Sequence, residues 1–355
     1  MPSLNKRVLT RKPRSLEQTA RDTALSAIAR AYDHAGEDYA SYADGEDLED
    51  SALGGGRFAH ADGIVWDAIR SAIDDLHATG VPRLRVLDAG CGPGTWLNRI
   101  AAYAKRLGFD IEAVGIDISN GQLEIARARA ASCHSGDAAD RCKMTFQEHD
   151  LCDPLPWPDR HFHIVLCNYV VLNHLPRTAL PRTVEDLCRV ASQRVIASMR
   201  ALASPPTGCI TSTEQVREYR QDCCRGELKL LLKDGTEHRL TFNLYTAERL
   251  KAMFARHSAI ADIRALDLFI SRFAADTNWT SKIVNALPGR TEVLRRLKEL
   301  EELLCRLPGW LDHGTHILIV TEPLNASNRI LSTSEPTRRE FLRGQVRRAR
   351  LRSGR

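Results

Sequence analysis

No stretch of the chain approaches the roughly 18 uninterrupted apolar residues that a membrane helix requires; the nearest, Ile164 to Leu172, contains Asn168. No membrane partner is therefore expected. No secretory apolar core follows the N-terminal cations Lys6, Arg7, Arg11, Lys12 and Arg14, because Arg21, Asp22 and Arg30 interrupt what comes next, so export is not expected. The ten cysteines include no C-x-x-C pair, which leaves no half of a zinc site, and no metal is expected. Several lie in apolar runs, where a reduced cysteine behaves as a small hydrophobe, a usage that fits a cytoplasmic location. No internal repeat is present.

What is present is ordinary globular composition, 43% hydrophobic and 27% charged over 355 residues, enough for two or three units or one large domain with additions. The net charge of +5 is unevenly placed. Residues 336–355 hold eight Arg against one Glu, +7 in all, and residues 1–16 hold five cations and no acid, leaving 17–335 at −7. The body is mildly acidic, and the basic character sits in two tails, which read as solvated; an RNA-binding arm is the alternative for the C-terminal one.

Hydrophobic periodicity predicts a helix over 61–79, stopped by Gly80 and Pro82, and then a change of period. Short apolar strands at 85–88, 111–116, 143–147, 164–167 and 195–198 alternate with helices at 96–107, 122–132 and 180–190, the pattern of a doubly wound α/β sheet. The fourth strand is apolar on both faces, as a central parallel strand buried by helices should be. Beyond Ala203 the alternation stops. Segments 227–232 and 239–244 flank Lys233-Asp234-Gly235-Thr236, a hairpin signal, because Asp-Gly accepts the positive φ of a tight turn. A helix at 247–255, a strand within 260–269, an amphipathic helix at 291–306 and a strand at 316–321 follow, the last two strands completing a seven-stranded sheet. Leu294, Leu297, Leu300 and Leu304 read as the core face of the second of these helices.

The chemistry sits after the first strand, in Asp88-Ala89-Gly90-Cys91-Gly92-Pro93-Gly94. Glycines at 90, 92 and 94 let the backbone turn off the strand and approach a ligand closely. A dinucleotide fingerprint would need its third glycine at position 95, which is Thr95, so a nicotinamide or flavin enzyme is disfavoured.

This loop resembles that of the class I S-adenosylmethionine-dependent methyltransferases. The resemblance implies a Rossmann-like methyltransferase fold, a doubly wound, mostly parallel seven-stranded sheet, to which the hairpin read above is an insertion after the fifth strand. It also implies S-adenosyl-L-methionine as cofactor, with Asp88, Gly90, Gly92 and Gly94 around it. Asp117, with Ile118 beside it, stands where the family's ribose-binding carboxylate ends the second strand. Asp150 looks like its adenine-amine acceptor, and Leu151 would add a backbone amide. Asn168, ending the fourth strand, and His174 just beyond it resemble the small-molecule branch of the family, with His174 the candidate general base. The strand lacks the Asn/Asp-Pro-Pro-Tyr/Phe signature of amino-group methylation and the Pro-Cys nucleophile of cytosine-C5 enzymes. Upstream, Ala31-Tyr32-Asp33-His34-Ala35-Gly36-Glu37-Asp38-Tyr39 looks like the family's lid helix, with Tyr32 and Tyr39 offering π faces to a sulfonium.

The expected organisation is a basic arm over 1–20, a helical lid and lead-in over 21–80, the cofactor-binding core over 81–204, a hairpin insertion over 205–245, completion of the sheet over 246–325 and an arginine-rich tail over 326–355. The expected activity is methyl transfer to a small or medium organic acceptor at O or N. An RNA methyltransferase using the basic tail and a non-catalytic cofactor-binding regulator are the alternatives, and the oligomeric state is left open.

Overall fold

The computed structural model describes residues 16–40, 48, 59–133, 141–204, 209–210, 215–270 and 289–324. The expectations for the tail over 326–355, for most of the arm over 1–20 and for a break at Gly54-Gly55-Gly56 lie outside the described residues.

A first helix, α1 (Leu16–Ala40), is interrupted at Gly36, whose φ of 46° and ψ of −131° are not helical. After α2 (Ala59–Ala78) strands and helices alternate: β1 (Arg83–Ala89), α3 (Thr95–Arg106), β2 (Asp110–Asp117), α4 (Asn120–Cys133), β3 (Cys142–Glu148), β4 (Phe162–Cys167), α5 (Leu180–Val190) and β5 (Ala191–Arg200). An inserted group follows, β6 (Val216–Asp222), β7 (Glu227–Leu232) and β8 (Glu237–Thr241). Then come α6 (Ala247–Phe254), β9 (Ser258–Leu266), α7 (Arg290–Leu304) and β10 (His316–Pro323).

The main sheet has seven strands in the order β3-β2-β1-β4-β5-β10-β9. The first five are parallel, and β10 runs antiparallel between β5 and β9. Successive side chains enter opposite cores, which is why these strands read as unbroken apolar runs. Val86, Ile164, Ile196 and Leu318 face α2 and α3, packing with Val65, Ile69, Leu97 and Ile100. Leu87, Val165, Val195 and Ile317 face α5 and α6, packing with Leu180, Val184, Leu187 and Phe254. At about 1.5–3 kcal/mol per fully buried aliphatic side chain, the three α5 residues alone anchor that helix by roughly 5 kcal/mol or more.

The insertion differs from the expected two-stranded hairpin. The Asp234-Gly235 turn is there, with Gly235 at φ 91° and the Thr236 amide donating to Asp234 Oδ1 at 2.8 Å. A third strand, β6, pairs antiparallel with β7. Its sequence, Val216-Arg217-Glu218-Tyr219-Arg220-Gln221-Asp222, is an edge strand with four exposed positions and no apolar stripe to betray it. The sheet turns Leu228, Leu230, Leu232 and Leu240 toward Leu25, Ile28 and Ala31 of α1, and this separate apolar cluster makes one cap from two segments remote in sequence. The leucine stripe of α7 is also less regular than expected. Leu294 is buried but Leu300 is 42% exposed, because buried Glu301, 3.3 Å from His60 Nε2, occupies the inward position.

Candidate functional site

The C-terminal ends of β1 to β4 open into one cavity, about 950 Å³ including its mouth, roofed by α1. Asp88, Gly90, Gly92, Asp117, Ile118, Asp150, Leu151, Asn168, His174, Tyr32 and Tyr39 all line it. Gly94 does not. It caps α3 in the left-handed conformation, and a Cβ there would stand 3.2 Å from Ala126 and Phe146, so its place is the packing of α3 on α4 and β3.

The glycine loop is tied to β2: the Gly90 and Cys91 amides both donate to the Ile116 carbonyl, at 2.7 and 2.9 Å. At Gly90 (φ 84°) a Cβ would lie 2.3 Å from Val171 Cγ2, so only glycine lets the segment after β4 close against the loop. Asp117 is oriented by two amides, Gly92 donating to Oδ2 at 2.8 Å and Ser119 to Oδ1 at 2.9 Å. Burial raises its pKa, opposed by those hydrogen bonds. Asp88 is pushed up to about 8, chiefly by burial and then by the Asp117 charge. Asp150 Oδ1 accepts the Cys152 amide at 2.8 Å, and the Leu151 carbonyl accepts Thr183 Oγ1 at 2.8 Å, which fixes the floor beside β3.

Several polar atoms of the cavity wall have no hydrogen-bond partner among the described residues. They are Asp88 Oδ2, Thr95 Oγ1, Trp96 Nε1, His149 Nε2 and both amide atoms of Asn168. A buried polar group left unpaired costs about 1–3 kcal/mol, so converging ones mark a surface shaped for a polar ligand. The next residue, Tyr169, holds a positive φ of 62°, and its amide donates to Ser198 Oγ at 2.5 Å. This bend turns Asn168 and Tyr169 into the cavity wall.

The helix α1 is held over the cavity by residues that sequence reasoning did not single out. Asp33 Oδ1 accepts Ser119 Oγ at 2.6 Å and the Gly121 amide at 3.0 Å, joining α1 to the start of α4. Gln122 Nε2 donates to the carbonyls of Tyr32 (3.0 Å) and Gly36 (3.1 Å), filling acceptors that the interruption at Gly36 leaves over. Asp33 lies inside the lid run, but nothing in its spacing names Ser119 as its partner. Tyr32 and Tyr39 meet edge to face at 5.1 Å.

His174 is buried in a short 3₁₀ turn after β4. Its Nδ1 lies 2.8 Å from the Thr241 carbonyl, which only accepts, so Nδ1 carries the proton and donates. Its Nε2 therefore accepts from the Tyr32 hydroxyl, 3.1 Å away. Burial pulls the imidazole pKa down to about 4, so the ring is neutral near pH 7. Neighbouring Asn173 donates to the Arg200 and Asn243 carbonyls at 3.3 and 2.6 Å, fastening this turn to β5 and the insertion. Among the described residues no cluster of three or more His, Cys, Asp or Glu fit for a metal occurs, and no helix is long and apolar enough to cross a membrane.

Residues 86–194 match the model of a family described as methyltransferase domain. The chain is similar to a probable methyltransferase, ltbC, of Aspergillus luteorubrus, 32% identical over 116 residues, covering 32% of this chain and 39% of that protein. It is equally similar to the demethylmenaquinone methyltransferase of Symbiobacterium thermophilum, 32% identical over 109 residues, covering 31% and 39%. The aligned region thus spans about two fifths of the length of these curated relatives. Among solved structures, the magnesium protoporphyrin IX methyltransferase of Synechocystis is 17% identical, with a TM-score of 0.42, covering 87% of this chain and 100% of that one. The glycine loop, the acids at the ends of β2 and β3 and the end of β4 all fall within residues 86–194, the segment that matches the methyltransferase-domain model.

Proposed function

We propose that the chain binds S-adenosylmethionine in this cavity and transfers its methyl group to a small or medium organic acceptor, at oxygen or nitrogen. The observation that carries the reading is the Asp117 carboxylate, held at the end of β2 by the Gly92 and Ser119 amides and lining the cavity. A carboxylate so placed suits the two hydroxyls of a ribose, each charge-assisted bond being worth about 1.5–3 kcal/mol.

The other wall residues fit the same ligand. Asp150 and the Leu151 amide would take the adenine edge, and the unpaired Asp88 and Asn168 atoms would receive the amino-acid moiety. The edge-to-face pair of Tyr32 and Tyr39 gives a cation the aromatic surface it prefers. When bound, S-adenosylmethionine supplies a methyl group already activated on sulfur, so the protein's work is alignment and exclusion of water. The Asp33 and Gln122 contacts that hold α1 over the cavity serve that end.

The reading is tested by Asp117→Ala. Titration calorimetry with S-adenosylhomocysteine should show affinity reduced roughly 30- to 150-fold, about 2–3 kcal/mol, in a protein whose thermal unfolding stays cooperative. Unchanged affinity in the folded variant overturns the assignment.

A further inference from the structure

The Tyr32 hydroxyl gives its proton to a ring nitrogen that has no other use. Thr241 holds the opposite edge of His174, so Nε2 faces Tyr32, and the rings of Tyr32 and His174 stand edge to face at 5.7 Å. With its proton committed to Nε2, the Tyr32 oxygen keeps its lone pairs for whatever enters the cavity it lines. Three separate parts of the chain build this unit: the lid helix supplies Tyr32, the turn after β4 supplies His174, and the end of β8 supplies the Thr241 carbonyl.

The surroundings select what can meet that oxygen. Leu25 and Ile28 share with Tyr32 one face of α1, and Val170, Val171 and Leu175 complete the wall around His174. No Lys or Arg lines the cavity among the described residues, and its carboxylates, Asp88, Asp117 and Asp150, belong to the ends of β1 to β3. An anionic acceptor would find no cationic side chain here, only the sulfonium of the donor, and an ammonium would lose its hydration against aliphatic side chains.

Building on the methyl-transfer reading, we propose that the acceptor is an uncharged, largely apolar molecule bearing a phenolic or enolic hydroxyl, which docks on the Tyr32 oxygen and loses its proton through Tyr32 to His174. The acceptor's O–H bond breaks and its proton joins the Tyr32 oxygen as the Tyr32 proton forms an N–H bond at His174 Nε2. The acceptor oxygen keeps the electron pair with which it binds the methyl carbon, while the former carbon–sulfur pair stays on sulfur. The resulting imidazolium retains its Nδ1–H bond to Thr241 and, once the methylated product has left, passes the proton back through Tyr32 to solvent water, regenerating neutral His174. Burial keeps His174 neutral and its Nε2 free to accept a proton, and a phenolic or enolic hydroxyl, with a pKa near that of tyrosine, about 10, yields one far more readily than an aliphatic alcohol. Tyr32 is thus the catalytic residue of the pair, and His174 acts through it.

The test uses the full chain, S-adenosylmethionine and a panel of naphthols and hydroxyanthraquinones. The matching naphthylamine, hydroxymethylnaphthalene and naphthoic acid serve as competitors. Methylation of the hydroxyaromatics, about 100-fold or more above the others, is expected. Tyr32→Phe keeps the ring and should keep S-adenosylhomocysteine affinity within about twofold, yet lower kcat on naphthol roughly 100-fold. That loss should shrink as nitro substituents make the acceptor more acidic, and His174→Asn should follow the same trend. Calorimetry adds a readout without turnover: naphthol should bind about tenfold tighter than naphthalene to the parent protein, and equally to Tyr32→Phe. A preference for the amine, alcohol or acid overturns the inference, as does a Tyr32→Phe loss that ignores acceptor acidity. Donor binding without methylation of any hydroxyaromatic overturns it and leaves the proposed function standing, whereas absence of donor binding overturns both.

Discussion

The floor of the cavity, formed by the ends of β1 to β4, and its roof, formed by α1 with the inserted sheet packed behind it, are built with different chemistry. The floor is polar and locally wired. Asp117 is oriented by amides at Gly92 and Ser119, and Asp150 by the amide two residues on. The roof is an apolar cluster of Leu25, Ile28, Leu228, Leu230 and Leu240, joined to the rest by a few long-range hydrogen bonds from Asp33, Gln122, Tyr32 and Asn173. A floor built this way is preorganised at the cost of buried charge, while a roof on few polar ties can shift without disturbing the sheet.

The largest effect should come from relieving that buried charge. Asp88 has a folded pKa of about 8 against 3.8 for the free side chain, so its neutral form stabilises the fold at low pH. That contribution is complete below about pH 4 and is lost as pH rises through 8. Asp88→Asn should therefore be more stable than the parent at pH 9, by on the order of 5 kcal/mol, with the difference gone near pH 4. Urea unfolding of the ligand-free protein across that range checks it, and a pH-independent difference would show that Asp88 is charged throughout.

Breaking the floor sterically comes next. At Gly90 a side chain meets Val171 Cγ2 at 2.3 Å on a backbone with φ 84°, so Gly90→Val should cost about 4 kcal/mol of stability, strain and overpacking together, and donor binding with it. Gly92 (φ 49°) provides the contrast, since its Cβ would find Tyr39 at an ordinary 3.7 Å, and Gly92→Ala should cost less than half as much. Equal losses in thermal unfolding would mean that the close approach to Val171 is not what requires glycine.

A change in the roof should instead spare the fold. Asp33→Ala removes the acceptor of Ser119 Oγ and the Gly121 amide, and donor affinity should fall about three- to tenfold while the urea midpoint moves little. A drop in global stability larger than the drop in affinity would make α1 part of the core rather than a separable roof. The smallest effect is expected from deleting 336–355: donor affinity should change less than twofold. If the acceptor is RNA, the same deletion should cut acceptor binding at low salt and flatten its salt dependence, because those residues carry +7.

The floor was legible in the sequence because it is written locally. A switch of hydrophobic period marks each strand and helix, the three glycines follow directly on β1, and Asp117 and Asp150 sit at or just beyond strand ends, so a doubly wound sheet puts them on one edge. Tertiary structure alone decided the roof. Nothing near His174 names Thr241 as its partner, nothing near Asp33 names Ser119, and β6 carries no apolar alternation because one of its edges and most of its side chains face solvent. Gly94 and Leu300 show the same limit from the other side, since their spacing suited a ligand loop and a core stripe while packing gave each another place. The physical reason is range: backbone propensity and amphipathic period act over a few residues, whereas the pairing that fixes the His174 tautomer and aims the Tyr32 oxygen exists only once distant segments have folded against one another.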